Sequence, residues 1–458
     1  MRLLAKLTAA GLAVQTITAM PASALPEATQ FTLENGMRGI VIQDRRAPVV
    51  THMVWYPVGA ADEPAGKSGI AHYLEHLMFK GTDEIPEGAF SRIVAANGGS
   101  DNAFTSRDYT GYFQRIAADR LGLVMGMEAD RMRDLEFSEE VALTERDVIL
   151  EERNQRTENS PQALFYEQVN AALFQNHPYG VPIIGWRHEM EELTRADAFD
   201  FYARHYAPDN AILVVAGDVT PDEVERLARE HYGPLEPSGQ APDARPQEPP
   251  HRAERRITMS DPRVRQPFMV RQYLVPARGT GDTRVAAALE ILEAVLGDGI
   301  ASRFAEAMVT GDRSAIDTGA YYSASQRDAT GFTIYAVPAE GVALETVEAG
   351  LDAVLAEIAA NGPTEEELAR IKRTIHAAYI YALDSQSTLA RIYGVGLTIG
   401  LSVEQIEAWP EVLQSITAEE VRDAARLLSR ETAVTGYLTR AETATAPAAA
   451  SATEEGQG

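Results

Sequence analysis

Apolar positions along the chain keep two periods, and the switches between them outline its elements. Residues 28–57 read as strands. Leu33-Glu34-Asn35-Gly36 supplies an Asn-Gly hairpin signal, and Val49 to Tyr56 is a run of β-branched and aromatic residues. A glycine-containing loop (59–69) follows. The spacing then turns helical over 70–79 and 85–96, ending at Asn97-Gly98-Gly99. Two short polar and aromatic strands are expected around 103–105 and 109–116. Helical patterns occupy 119–134, 138–157, 161–174 and 194–206, and Ala211 to Ala216 is apolar throughout, as in a buried strand.

Between residues 233 and 252 the chain becomes rich in proline and glycine (Gly233, Pro234, Pro237, Gly239, Pro242, Pro246, Pro249, Pro250), the composition of a semi-rigid extended linker. Beyond it the order of elements recurs. A strand is expected over Phe268–Val275 and a helix over Thr283–Leu296. Strands follow within 318–337, helices over 344–360 and 363–383, and a last strand over 433–438. This predicts an α+β protein made by internal duplication: a first domain over 25–232, a linker over 233–257 and a second domain over 258–440. Residues 441–458, rich in Ala, Thr, Glu and Gly, read as a disordered tail.

The first residues follow a different logic. Arg2 and Lys6 precede an uncharged apolar stretch, Leu7 to Met20, and Ala22-Ser23-Ala24 is a small-x-small cleavage signature. The stretch is shorter than the ~20 apolar residues of a comfortable span. Residues 1–24 are therefore expected to be a secretory signal peptide, cut after Ala24, which sends the protein across the inner membrane to the periplasm.

Charge and composition narrow the chemistry. Among 458 residues there are 41 Lys and Arg against 67 Asp and Glu, a net charge of −26. A surface of that sign argues against nucleic acid or anionic lipid as the main partner, and its field would steer basic peptides inward. There is no cysteine, so a metal site has to be built from His, Asp and Glu.

One constellation fits that restriction. Ala71-His72-Tyr73-Leu74-Glu75-His76-Leu77 contains H-x-x-E-H within a helical stretch. His72 and His76 are i and i+4, so both imidazoles leave one face and can share a zinc ion. Glu75 stands beside them and can serve as a general base. With nine His and 67 acids in the chain, roughly 0.03 such motifs are expected by chance. A catalytic zinc needs a third protein ligand and an open corner. In the helix from Glu139, the positions Val141, Glu145, Val148 and Glu152 form one stripe. Carboxylates on an apolar stripe are costly unless paired or metal-bound. Glu152 is thus the expected third ligand and Glu145 a group that orients a histidine from behind. Glu151, about 100° round the helix, is the weaker candidate. His52 and His177 read as core and loop residues.

With these residues placed, the chain resembles the pitrilysin family of zinc endopeptidases, the M16 family, which includes insulysin and the mitochondrial processing peptidase. The resemblance extends through His72–Thr82, Asn102–Tyr109, Glu145–Glu152, His177–Gly185 and Tyr206–Val219. It implies two homologous α/β-roll domains, mixed sheets flanked by helices, closing as a clamshell. It also implies Zn²⁺ held by His72, His76 and Glu152 with Glu75 as base, and an edge strand at Asn102, Ala103 and Phe104 on which an extended peptide is laid. Active relatives further carry an Arg and a Tyr seven residues apart in the second domain. Here Val309 and Ile316 occupy those positions, and neither side chain can donate a hydrogen bond. The resemblance therefore implies a heterodimer with a homologous subunit that supplies the Arg/Tyr pair, a homodimer being the alternative. A non-catalytic peptide-binding subunit of the same fold is the competing expectation.

Overall fold

The computed structural model of the protein describes residues 27–241 and 244–441. The expected signal peptide, and all but the first residue of the expected tail, lie outside the described residues.

The first half builds a six-stranded mixed sheet from β1 (Ala28–Thr32), β2 (Arg38–Gln43), β3 (Val49–Tyr56), β4 (Ser100–Thr105), β5 (Thr110–Ala117) and β6 (Ile212–Gly217), in the order β1-β2-β6-β3-β5-β4. The second half builds a five-stranded sheet from β7 (Arg255–Asp261), β8 (Phe268–Val275), β9 (Ala315–Tyr321), β10 (Thr330–Pro338) and β11 (Val434–Arg440), in the order β7-β11-β8-β10-β9. The two orders match strand for strand once β1 is set aside. Each sheet has one parallel pair, β2 with β6 and β7 with β11, at the equivalent place. The duplication expected from the order of elements is thus present at the level of topology. β7 starts at Arg255, so the last residues of the expected linker already belong to a sheet. That strand alternates polar and apolar residues at a sheet edge and carries no continuous apolar signal.

Five helices of the first half bear on the site: α1 (Ile70–Leu77), α2 (Ala89–Ala96), α3 (Leu121–Arg133), α4 (Glu139–Arg153) and α5 (Pro161–Leu173). One core lies between the first sheet and α1, α3 and their neighbours, with Val50, Val54, Tyr73, Leu74, Leu77 and Tyr112 buried in it. The opposite face of that sheet is covered from the other half of the chain. Leu389, Ala390, Tyr393 and Leu397 of the helix Gln386–Thr398 pack on Ile40, Met53, Trp55 and Val214. The exchange is mutual: Phe165, Val169 and Leu173 of α5 cover Phe268, Val270, Val434 and Leu438 of the second sheet. Gly394 lets the crossing helix lie on the indole, since a Cβ there would stand 2.1 Å from Trp55. Burial on both faces explains why β6 reads as an unbroken apolar run and why β3 departs from one only at Thr51 and His52.

The linker adds a polar clasp. Arg245, only 4% exposed, bonds Asp62 (2.7 and 2.9 Å) and Asp108 (2.5 Å) of the first half and Asp328 (3.2 Å) of the second. Tyr179 donates to Asp108 at 2.6 Å, and His177 lies 3.3 Å from Asp328. His177 is therefore structural, as is His52, which is fully buried between Gln114 (2.6 Å) and Tyr232 (2.9 Å).

The crossing helices tie the stability of each sheet to the other half. Leu389→Ala is expected to cost ~2–5 kcal/mol in denaturant unfolding. It should also raise amide hydrogen exchange in β3 and β6, which lie more than 150 residues away in sequence.

Candidate metal centre

α1 is placed by burial and by a borrowed cap. Ile70, Ala71, Tyr73, Leu74 and Leu77 lie in the core, which turns His72, Glu75 and His76 to the remaining face. The residue before the helix, Gly69, sits at φ 87° and has no side chain to cap it. The carboxylate of Glu63 fills that role, accepting from the backbone N–H groups of Gly69 (2.9 Å) and Ala71 (3.0 Å).

α4 packs across α1. Ser138 caps its start by accepting from the Val141 N–H at 3.2 Å, and the Tyr73 hydroxyl donates to the Ala142 carbonyl. The face of α4 that is buried carries Ala142, Glu145, Ile149 and Arg153, whereas Val148 is 46% exposed. This corrects the stripe expected from the sequence: Glu152 lies at the margin of the buried face, not within an apolar row. The helix also ends earlier than expected, at Arg153, and widens into a π-helical turn over Asn154–Glu158.

Three of the expected residues nevertheless converge. Glu152 Oε2 lies 3.7 Å from His72 Nε2 and 3.5 Å from His76 Nε2, and one ligand atom from each residue falls within 4.8 Å of the others. Ligand atoms at ~2.0–2.1 Å from a tetrahedral zinc stand roughly 3.3–3.4 Å apart, so the two carboxylate–imidazole separations need only a small contraction to close on an ion. His76 Nδ1 lies 2.8 Å from Glu145 Oε1, an arrangement that turns Nε2 toward the other two ligands. The other oxygen of Glu145 pairs with Lys80. One atom departs from the usual pattern: His72 Nδ1 is buried with no hydrogen-bond partner among the described residues. Two imidazoles and one carboxylate are otherwise the donor set of a catalytic zinc, and these residues fit such an ion. Glu151 is exposed and bonded to Asn154 and Gln155, outside the cluster.

The electrostatics differ from one residue of the cluster to the next. Burial, with the charges of His76 and Arg156, drives the His72 pKa down to about 3, so the ring stays neutral as a ligand must. Burial also acts to lower His76, but its hydrogen bond to Glu145 and the nearby carboxylates outweigh that and hold it above the ordinary value. In Glu145 burial is outweighed by the bonds to His76 and Lys80, and the carboxyl lies below its usual range. Glu75 behaves differently. Burial raises it, against the pull of a 2.6 Å hydrogen bond donated by the Thr105 hydroxyl.

A cavity of about 770 Å³ opens over the cluster. Asn102, Ala103, Phe104 and Thr105 of β4 line it together with Arg156, Thr157, Ile183 and Ile184. β4 is the last strand of its sheet and pairs only with β5, so its outer backbone edge is unpaired. One donor of that edge is occupied from within: Asn102 Oδ1 accepts from the Ala103 N–H at 2.8 Å. Ala103 and Thr105 share the face toward α1. The Phe104 ring lies on the other face against Trp55 (5.0 Å) and Tyr109 (6.1 Å), so Phe104 offers the cavity its backbone.

Sequence reasoning assigned no role to Thr105, Lys80, Glu63 or Arg156. Arg156 Nη1 stands 2.6 Å from Glu152 Oε1, on the turn where α4 widens. In the second half, Val309 lies in a π-helical turn (Ala305–Gly311) and Ile316 is the second residue of β9, 57% exposed. No hydrogen-bond donor stands at either position.

Known proteins agree with this architecture. Residues 39–186 match the family model described as insulinase, peptidase family M16, and residues 192–375 match that of the peptidase M16 inactive domain. The zinc protease PqqE of Helicobacter pylori is 31% identical over 375 residues, which is 81% of this chain and 83% of that one. The crystal structure of a protease from Helicobacter pylori superposes with a TM-score of 0.85 at 29% identity, covering 91% of this chain and all of the other. The first half of the periplasmic protease PqqL from Escherichia coli shares the fold, with a TM-score of 0.75 at 21% identity over 91% of this chain and 93% of that one. With both halves matched by family models and a relative of this identity aligned over most of both chains, the protein belongs to the M16 family of peptidases.

Proposed function

We propose that the protein is a zinc-dependent endopeptidase that cleaves extended peptides or unfolded segments, with Glu75 as base and His72, His76 and Glu152 as ligands. The observation that carries this reading is the convergence of those three ligand atoms beside an unpaired strand edge. A zinc ion held there would supply Lewis acidity and would lower the pKa of a water to about 7. The chain's own residues do the rest. The outer edge of β4 takes an extended peptide as an added strand, through backbone hydrogen bonds at Asn102, Ala103 and Phe104. The Glu75 carboxylate takes the proton of the attacking water and returns it to the leaving amine. Thr105 aims that carboxylate, and Glu145 holds the His76 ring in register.

The working enzyme is proposed as a heterodimer, with a homologous subunit bringing the Arg and Tyr that Val309 and Ile316 replace here. A homodimer would leave both sites without those donors. The likeness to the first half of PqqL supports this pairing, since that protein carries a further half beyond the part matched. Residues 25–232 and 258–440 are the proposed domains, joined by the linker 233–257. The leader-like start of the chain and a periplasmic structural neighbour support export to the periplasm. Among the described residues no helix is long and apolar enough to cross a membrane. A second reading, a peptide-binding subunit that does not cut, is favoured by Val309 and Ile316 alone.

Glu75→Gln decides between the two. Peptide hydrolysis by the chain with its partner should fall by ~10²–10⁴-fold while bound zinc, measured by atomic absorption, stays at one per chain. Unchanged hydrolysis would assign the activity elsewhere. Removing zinc with a chelator should abolish turnover, and zinc should restore it. Glu145→Gln should weaken zinc affinity by about 10–100-fold, read by competition with a chromophoric chelator. The acid limb of kcat/KM should lie above the usual carboxylate range, because burial raises Glu75. Thr105→Val removes a bond that favours the ionised form, so it should move that limb to higher pH.

A further inference from the structure

The cavity over the metal cluster is lined by a single Arg or Lys side chain, that of Arg156. Its Nη1 is engaged with Glu152 Oε1 at 2.6 Å. A guanidinium carries five N–H groups, and among the described residues the others have no protein partner. The side chain is 72% exposed and borders the same cavity as Ala103 and Thr105 of the edge strand.

This arrangement has two effects. The first concerns Glu152. With Oε1 held by Arg156 and Oε2 turned to the two imidazoles, the carboxylate presents one oxygen to an ion. The second concerns the ligand in the cavity. The whole chain carries −26, and that field favours basic peptides at long range. At the cavity wall Arg156 places one cationic side chain beside the carboxylates of Glu75 and Glu152. The free side of the fork is matched to a carboxylate, which accepts two parallel N–H groups.

We propose that Arg156 makes this site selective for peptides bearing a carboxylate close to the scissile bond, either an Asp or Glu side chain or the C-terminal carboxylate of the peptide. This rests on the endopeptidase reading and names the substrate class for it.

The test uses binding, so that it can be read even where hydrolysis is absent. Fluorescein-labelled extended peptides are titrated by anisotropy into the full chain carrying Glu75→Gln, with and without zinc. They come in matched pairs: Asp against Asn, Glu against Gln, and a free C-terminus against its amide. In at least one pair the acid should bind about 10-fold tighter than the amide, and the pair that shows the gap identifies the source of the carboxylate. Arg156→Gln should reduce the gap to about twofold or less, and Arg156→Lys should keep an intermediate gap, since an ammonium supplies charge without the fork. Equal binding of acid and amide throughout would overturn the proposal, and this needs no variant. So would a gap that survives Arg156→Gln, or one that vanishes when zinc is removed, because the carboxylate would then be bound by the metal. Failure of the endopeptidase reading shows separately, as absence of cleavage by the unmodified chain with its partner.

Discussion

Everything at the site depends on how α1 is pressed against α4. α1 has one face in the core and one face free, and only the free face carries the two imidazoles and Glu75. α4 meets it at two levels, where Tyr73 reaches the Ala142 carbonyl and where His76 and Lys80 share the Glu145 carboxylate. Glu145 is 6% exposed. Burying a carboxylate that deeply is tolerable only with both partners in place, and loss of one partner of such a group typically costs ~3–5 kcal/mol. That penalty fixes the register of the two helices. About two turns further along α4 the same register delivers Glu152 to the imidazoles. The proposed third ligand is thus positioned by a contact made elsewhere, and Glu145 serves both the packing and the orientation of His76.

The exchange of helices between the halves explains why the open edge can be tolerated. A sheet with one face uncovered would bury β4 poorly, and an exposed edge invites aggregation. Here the helix Gln386–Thr398 covers the far face of the first sheet, and Arg391 lies 4.2 Å from the centre of the Phe104 ring. β4 is therefore anchored from behind by a residue of the second half while its outer edge stays free. The Arg245 clasp works in the same direction, since it grips Asp108 in the turn that joins β4 to β5.

Much of this was legible in the chain, for identifiable reasons. The H-x-x-E-H spacing is local, so a single helix period sufficed to pair His72 with His76. Glu152 was reachable because α4 is regular between Glu145 and Glu152. The expected stripe is not the buried one: Val148 is exposed, and the buried row runs through Ala142, Glu145, Ile149 and Arg153. Three things had no local signal. The π-helical turn that carries Arg156 is made of residues, Asn154–Glu158, that would continue an ordinary helix. The Thr105 bond to Glu75 joins a strand to a helix thirty residues away in sequence. The crossing helix Gln386–Thr398 owes its place to Trp55 and Gly394, a contact between the two halves that no periodicity encodes.

The duplication leaves one half with the chemistry and the other as a wall. β4 and β9 occupy equivalent edges of their sheets. Beside β4 lie two imidazoles and three carboxylates. β9 instead exposes Ile316 and Tyr321. Tyr321 lies near enough to influence the titration of Arg107 and Tyr109, which flank the β4–β5 turn. The two edges therefore approach one another at one end. Of Ile316 and Tyr321 only the latter carries a side-chain hydrogen-bond donor, and it stands outside the positions of Val309 and Ile316. Arg156 stands within the cavity but is already committed in part to Glu152. The asymmetry between the two edges is thus the physical reason to look for a partner subunit.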